Sequence, residues 1–249
     1  MNGFVDIAAQ VLPNMVHGRS AVLSADEAKE RLCAYPRKNI KTLITAPLFD
    51  PRVQKDTEFL AQREEAIGLA EVVCTDMVRP LRILPGALLP FHESLLTLRE
   101  PQRFALWHTR YLLLQLPDVP LSPAFYDLHN RIALATGLVP LIADIERYFD
   151  LFSLEDFLAM REAGIMTQIS AGGFLNSANR KLALYLLANH SIHFVASGAT
   201  LGSEIRLVEA MQAIKRALPL EHYKRIKSNP RMMLSNADPR SFLSAEPIG

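Results

Sequence analysis

The sequence predicts an α/β fold, a distorted TIM-like barrel of about seven β–α units. Three observations predict it. Short apolar runs alternate with helical patterns along nearly the whole chain. Most of the runs are continuously apolar, which marks strands buried on both faces and hence a parallel sheet with outer helices. The length of 249 residues suits a closed or nearly closed barrel, with a doubly wound open sheet as the alternative.

The strand candidates are 4–7, 42–46, 81–84, 111–116, 139–143, 166–170 and 193–196. The first helix follows Ser24, an N-cap residue with Asp26 and Glu27 in the first turn, and runs through 28–32. The next candidate is the long segment 56–73, followed by 122–136. Ser153 with Glu155 and Asp156 starts another helix, 153–162. The segments 179–188 and 204–217 complete the set. No internal repeat, low-complexity tract or linker divides the chain, so residues 1–249 read as a single domain. The end, residues 237–249, carries Pro239, Pro247 and Gly249 and reads as a loose tail.

Composition narrows the function. Hydrophobic residues make up 49% and charged residues 21%, ordinary for a soluble globular protein. A net charge of +1 gives no global attraction to nucleic acid or to an anionic membrane. No apolar stretch reaches the ~18 residues of a spanning helix, and the N-terminus lacks a secretory pattern. Two cysteines, Cys33 and Cys74, make no disulfide framework and point to a reducing compartment. The expected location is the cytoplasm.

Several chemistries are excluded by spacing. A cysteine phosphatase loop needs C-x5-R, but Arg79 follows Cys74 after four residues and Arg37 follows Cys33 after three. Gly172 and Gly173 have no lysine at nucleotide-loop spacing. Ser197-Gly198 lacks the context of a nucleophile elbow. In a barrel the segments just after each strand carry the chemistry, so those are the places to read.

The strand ends, among them Val5-Asp6-Ile7-Ala8-Ala9-Gln10-Val11-Leu12-Pro13 and Pro140-Leu141-Ile142-Ala143-Asp144-Ile145-Glu146-Arg147-Tyr148, together resemble those of the PHP-type bacterial tyrosine phosphatases of capsule and exopolysaccharide synthesis. Val5-Asp6-Ile7-Ala8-Ala9-Gln10-Val11-Leu12-Pro13 resembles D-x-H-x-H-I-L-P, and Val16-His17-Gly18 falls where that group has D-D-G. Thr42-Leu43-Ile44-Thr45-Ala46-Pro47-Leu48-Phe49 resembles T-I-I-A-T-P-H-H. Leu84-Pro85-Gly86-Ala87-Leu88 resembles a strand ending in G-x-E, and Tyr111-Leu112-Leu113-Leu114-Gln115 resembles Y-x-L-I-E. The segment from Pro140 to Tyr148 resembles P-x-I-A-H-x-E-R-Y, with Asp144 for histidine. The segment from Ile192 to Thr200 resembles V-H-F-I-A-S-D-x-H. Ser228-Asn229-Pro230-Arg231 resembles the closing N-P turn. The resemblance spans residues 4–236 and implies a (β/α)7 barrel of the PHP type.

The group binds a cluster of divalent metals, often manganese, which polarises phosphate oxygens and generates hydroxide. Its ligand positions are occupied here by Ala8, Gln10, His17, Leu48, Leu88, Gln115, Asp144, Gly198 and Thr200. Ala8, Leu48, Leu88 and Gly198 offer no donor atom, and Gln10, Gln115 and Thr200 are neutral, weak ligands. His17 and Asp144 alone keep good ligand chemistry, as a weak metal site or a hydrogen-bonded pair. The expectation is therefore no bound cofactor. Leu48, Phe49 and Leu88 read as fillers of an emptied pocket.

Arg147 and Asp144 are the candidate functional residues. The resemblance implies that Arg147 binds substrate phosphate, and the structural alternative is an ion pair with Glu146 or another acid. Asp6 reads as a cap on backbone N–H groups at a strand end. His190 and His193 read as structural. The clusters Lys215-Arg216 and Lys224-Arg225-Ile226-Lys227 read as solvated helix faces.

The resulting expectation is a catalytically inactive relative of the capsule phosphatases with a regulatory or binding role. The partner implied is a bacterial tyrosine kinase or its phosphotyrosine tail. Some members of the group form homo-oligomers, and no interface motif is legible here. The alternatives are an active metal-dependent phosphohydrolase with a reduced site using Gln10, His17, Asp144 and Arg147, and a phosphate-binding or small-molecule-binding protein.

Overall fold

The computed structural model describes residues 3–16, 22–75, 77–198 and 204–243. Its strands are β1 (Phe4–Ala9), β2 (Ile40–Thr45), β3 (Arg82–Leu84), β4 (Leu88–Pro90), β5 (Tyr111–Gln115), β6 (Val139–Ile142), β7 (Met166–Ser170) and β8 (Phe194–Ala196). All ladders are parallel, in two sheets of order β1-β2-β3 and β4-β5-β6-β7-β8. The seven expected strands are all present. The eighth arises because the third is broken at Pro85-Gly86-Ala87, where a Cβ on Gly86 would lie 2.6 Å from the Thr45 carbonyl oxygen. Its first half pairs with β2 and its second with β5. A bridge between Leu48 and Leu88 joins the two sheets at the break.

β8 lies against β1, so the strands follow one another around a distorted barrel. At that seam the Ser197 N–H donates to Asp6 Oδ1 at 3.0 Å. Side chains that alternate along the strands divide into an inner and an outer core. Ile7, Ile44, Leu84, Tyr111, Leu113, Leu141, Met166 and Phe194 belong to the inner one.

The helices are α1 (Ala25–Arg37), α2 (Asp56–Thr75), α3 (Pro123–Thr136), α4 (Leu154–Glu162), α5 (Ala171–Leu175), α6 (Ser177–Ala188), α7 (Leu207–Ala217), α8 (Leu220–Leu234) and α9 (Arg240–Leu243). Ser24 and Ser153 both close capping boxes, with Glu27 and Asp156, as their spacing requires. Among the described residues no helix is long and apolar enough to cross a membrane.

Three expectations need correction. The segment 204–217 is helical only from Leu207. Ser228-Asn229-Pro230-Arg231 is not a turn but lies inside α8. There Asn229 Nδ2 donates to the His193 carbonyl at 2.8 Å, which anchors the helix beside the proline that lacks a donor. The tail is not loose through residue 243. Phe242 of α9 is 2% exposed and meets Tyr111 and Phe194 edge-on or tilted, closing the N-terminal end of the barrel with Met233. The Tyr111 hydroxyl fastens this cover by donating to the Ala237 carbonyl at 3.1 Å.

Candidate functional site

The other end of the barrel, at the C-terminal ends of the strands, gathers the candidate residues. Asp144 follows β6 in the left-handed region, at φ 49°. Its backbone N–H donates to Gln168 Oε1 at 2.9 Å, and Gln168 Nε2 donates back to Asp144 Oδ1 at 3.2 Å. Gln168 reaches it because Met166, Gln168 and Ser170 share the inward face of β7. Glu146 accepts the Ser170 N–H at 3.0 Å and a short bond from the Ser170 hydroxyl. Asp6 caps the Ser197 N–H, and the Tyr35 hydroxyl lies 3.4 Å from that of Ser197. The polar side chains at the mouth therefore hold adjacent strand ends together.

Burial raises all three carboxyls. Asp6 is raised by desolvation against the lowering contacts of Ser197 and Tyr35. Asp144 is raised by desolvation, which outweighs Gln168 and Arg147. Glu146 is pushed up to about 7, first by desolvation and then by the neighbouring Asp144. Asp6 Oδ2 and Gln10 Oε1 are buried without a hydrogen-bond partner among the described residues.

Arg147 does not pair with Glu146. Its Nη2 donates to Asp118 Oδ1 at 3.2 Å, and its guanidinium lies 5.9 Å from the Tyr148 ring centre. With its oxygen turned toward the guanidinium, the Gln115 amide accepts from both terminal nitrogens of Arg147. Gln115 and Asp118 thus tie this arginine to the end of β5 and the loop after it, with Gln115 as a neutral acceptor.

Ala8, Leu48 and Leu88 all belong to the inner core at this end. Phe49 does not fill the mouth. It points the other way, into the outer core, stacked on Phe104 at 4.5 Å and tilted against Phe59 at 4.7 Å. Gly198 adopts φ +59°, and a Cβ there would lie 2.3 Å from Ser170 Cβ. Gly198→Asp is therefore expected to lower stability by about 2 kcal/mol, read by chemical denaturation, through left-handed strain and the Ser170 clash. A variant as stable as the parent would contradict this local geometry.

His17 and Thr200 lie outside the described residues. Among the described residues no three of His, Cys, Asp and Glu come together so as to hold a metal ion. A metal cluster needs several such donors converging, whereas Asp144 and Glu146 are hydrogen-bonded to Gln168 and Ser170, and Asp6 Oδ2 and Gln10 Oε1 are the unpartnered oxygens among the described mouth residues. The described donors do not fit a cluster of that kind.

Sequence reasoning singled out Asp144 and Arg147 but missed their partners Gln168 and Asp118, and Ser170, the partner of Glu146. A signal existed for Gln168 and Ser170, since two of the three residues on one face of β7 are polar in a strand buried on both faces. His193 is fully buried and accepts the Thr167 N–H at 3.0 Å.

The description "Capsular polysaccharide synthesis, CpsB/CapC" matches residues 4–235. Among solved structures, the chain is similar to those of YwqE from Bacillus subtilis and CpsB from Streptococcus pneumoniae, described as unique metal-dependent tyrosine phosphatases. The TM-score is 0.80 at 23% identity, over 98% of this chain and 97% of that one. An adenine deaminase from Arthrobacter aurescens gives a TM-score of 0.44 at 12% identity, over 88% and 76% of the two chains. No curated protein sequence matches. The matched span takes in the barrel from β1 to α8, so the chain belongs to the CpsB/CapC family of capsular polysaccharide synthesis.

Proposed function

We propose that this member of the family is a pseudophosphatase, a barrel that no longer turns over phosphotyrosine and acts by binding. The observation that carries this reading is the state of the mouth. Ala8, Leu48, Leu88 and Gly198, at strand ends where the family resemblance places metal ligands, have no donor atom. The remaining acids are used as braces, Asp6 on Ser197 and Glu146 on Ser170. Arg147, the guanidinium at the mouth that could grip a phosphate, is already shared between Gln115 and Asp118. The partner we propose is a tyrosine kinase of the same capsule or exopolysaccharide system, engaged in the cytoplasm through its tail.

The competing reading is an active phosphohydrolase with a reduced site. One observation favours it: Glu146, pushed up to about 7, has the acidity of a general acid–base and lies beside Asp144. Hydrolysis of p-nitrophenyl phosphate in the presence of manganese separates the two. The expected result is no turnover above the protein-free rate. Turnover that disappears in Asp144→Ala would establish the enzyme instead.

A further inference from the structure

The unmet hydrogen-bonding atoms of this protein are not scattered. Of the eleven buried side-chain atoms without a partner among the described residues, six belong to His190, Ser191, His193, His222 and Arg225. These residues lie at the N-terminal end of β8, where residues 190–193 precede the strand and α8 crosses it. The site is thus on the face of the barrel opposite the mouth. The His190 and His222 rings are 5.8 Å apart. Arg225 spends one nitrogen on the Leu187 carbonyl at 2.7 Å, while its Nε and Nη1 have no acceptor. Arg161 closes the edge, donating to the Asn189 carbonyl at 3.1 Å.

Every one of the unmet groups here can donate a hydrogen bond. His193 Nδ1 accepts the Thr167 N–H, so the neutral ring carries its proton on Nε2, an orphaned donor. The two free nitrogens of Arg225 are donors, and Ser191 supplies a hydroxyl. His193, His222 and Ser191 are 0%, 6% and 3% exposed. No described carboxylate forms an ion pair with Arg225. Glu221 acts on His222 from the exposed side, and Glu162 lies 3.8 Å from Arg161. Burial pushes the guanidinium down to about 10, and its charge reaches all three imidazoles. A desolvated cation and several donors left unmet are costly unless an acceptor meets them. A ligand that only accepts hydrogen bonds and carries negative charge satisfies them together.

We propose that this cluster is a binding site for a small oxyanion, of the phosphate class, held by Arg225, His193, Ser191, His190 and His222. Half-buried His190 and Arg225 form its solvent side. Arg225 was read from sequence as part of a solvated basic face. It is the member of that run that turns inward.

The test is titration of the full chain with inorganic phosphate in chloride buffer, read by the ring nitrogens of 15N-histidine-labelled protein. The rings of His190, His193 and His222 are expected to shift along one saturable curve. Arg225→Gln is expected to weaken that binding about tenfold or more, whereas Arg131→Gln, on the exposed face of α3, leaves it unchanged. Rings that do not move in the parent protein would overturn the proposal, and that reading holds even if the Arg225 variant fails to fold. So would equal shifts with added chloride at matched ionic strength, or an Arg225→Gln protein that binds phosphate as tightly as the parent.

Discussion

Phe49→Ala is expected to destabilise the protein by about 4 kcal/mol, and to lower the melting temperature by about 10 °C. The ring is 0% exposed and is shared between Phe59 of α2 and Phe104, so its removal leaves a cavity between the sheet and an outer helix. Neighbouring Leu48 provides the control. It is half-buried at the mouth, and Leu48→Ala is expected to cost about 1 kcal/mol. Both residues occupy a pair of positions that the family resemblance assigns to histidines, yet they face opposite cores. Equal losses from the two substitutions, by urea denaturation, would contradict that division.

Glu146→Gln is expected to remove a loss of stability that sets in as the pH rises. The carboxyl is raised from 4.5 to about 7, so between those values the native state holds a proton that the unfolded chain has released. Stability then falls with rising pH across this window and stays lower above it. Allowing for the part of the side chain that still meets solvent, the effect is about 2 kcal/mol above neutral pH. Glutamine keeps an acceptor for the Ser170 N–H and carries no charge. The variant is expected to match the parent near the acid end of the window and to exceed it by that amount above neutrality. His190 and His193 act in the opposite sense. Burial pushes them down to about 4 and about 3, so stability is lost as pH falls from 6.5 toward those values. Both proteins share these histidines, and the difference between their denaturation curves isolates Glu146. A difference that does not vary with pH would contradict the buried, proton-holding carboxyl.

The strands were legible because parallel barrel strands are apolar on both faces, and runs such as 111–116 and 139–143 state that directly. α1 and α4 were legible through their caps. α8 was not, because its buried stripe is His222, Ile226, Asn229 and Met233, spaced four, three and four residues apart but polar at two of the four positions. A polar stripe gives no hydrophobic period, and Pro230 reads as a breaker. The same fact hid the oxyanion cluster, since an arginine in a basic run gives no sign of which way it turns. The apolar strand ends of the mouth were legible, because Ala8, Leu48 and Leu88 carry no donor atom whichever way they point. Its bracing was not, because Gln168–Asp144 and Glu146–Ser170 join residues 24 positions apart across neighbouring strands. Phe49 was misplaced for a similar reason: whether a residue just past a strand end faces inward depends on the bridge at Leu88, not on the local pattern.

Manganese titration by calorimetry tests the central claim most directly. A mouth whose acids brace strand ends, and whose other described strand-end positions offer neutral donors or none, is expected to give no saturable heat at micromolar protein. Uptake of two or three ions per chain with tight affinity would contradict it, and would restore this barrel to the metal-dependent phosphatases.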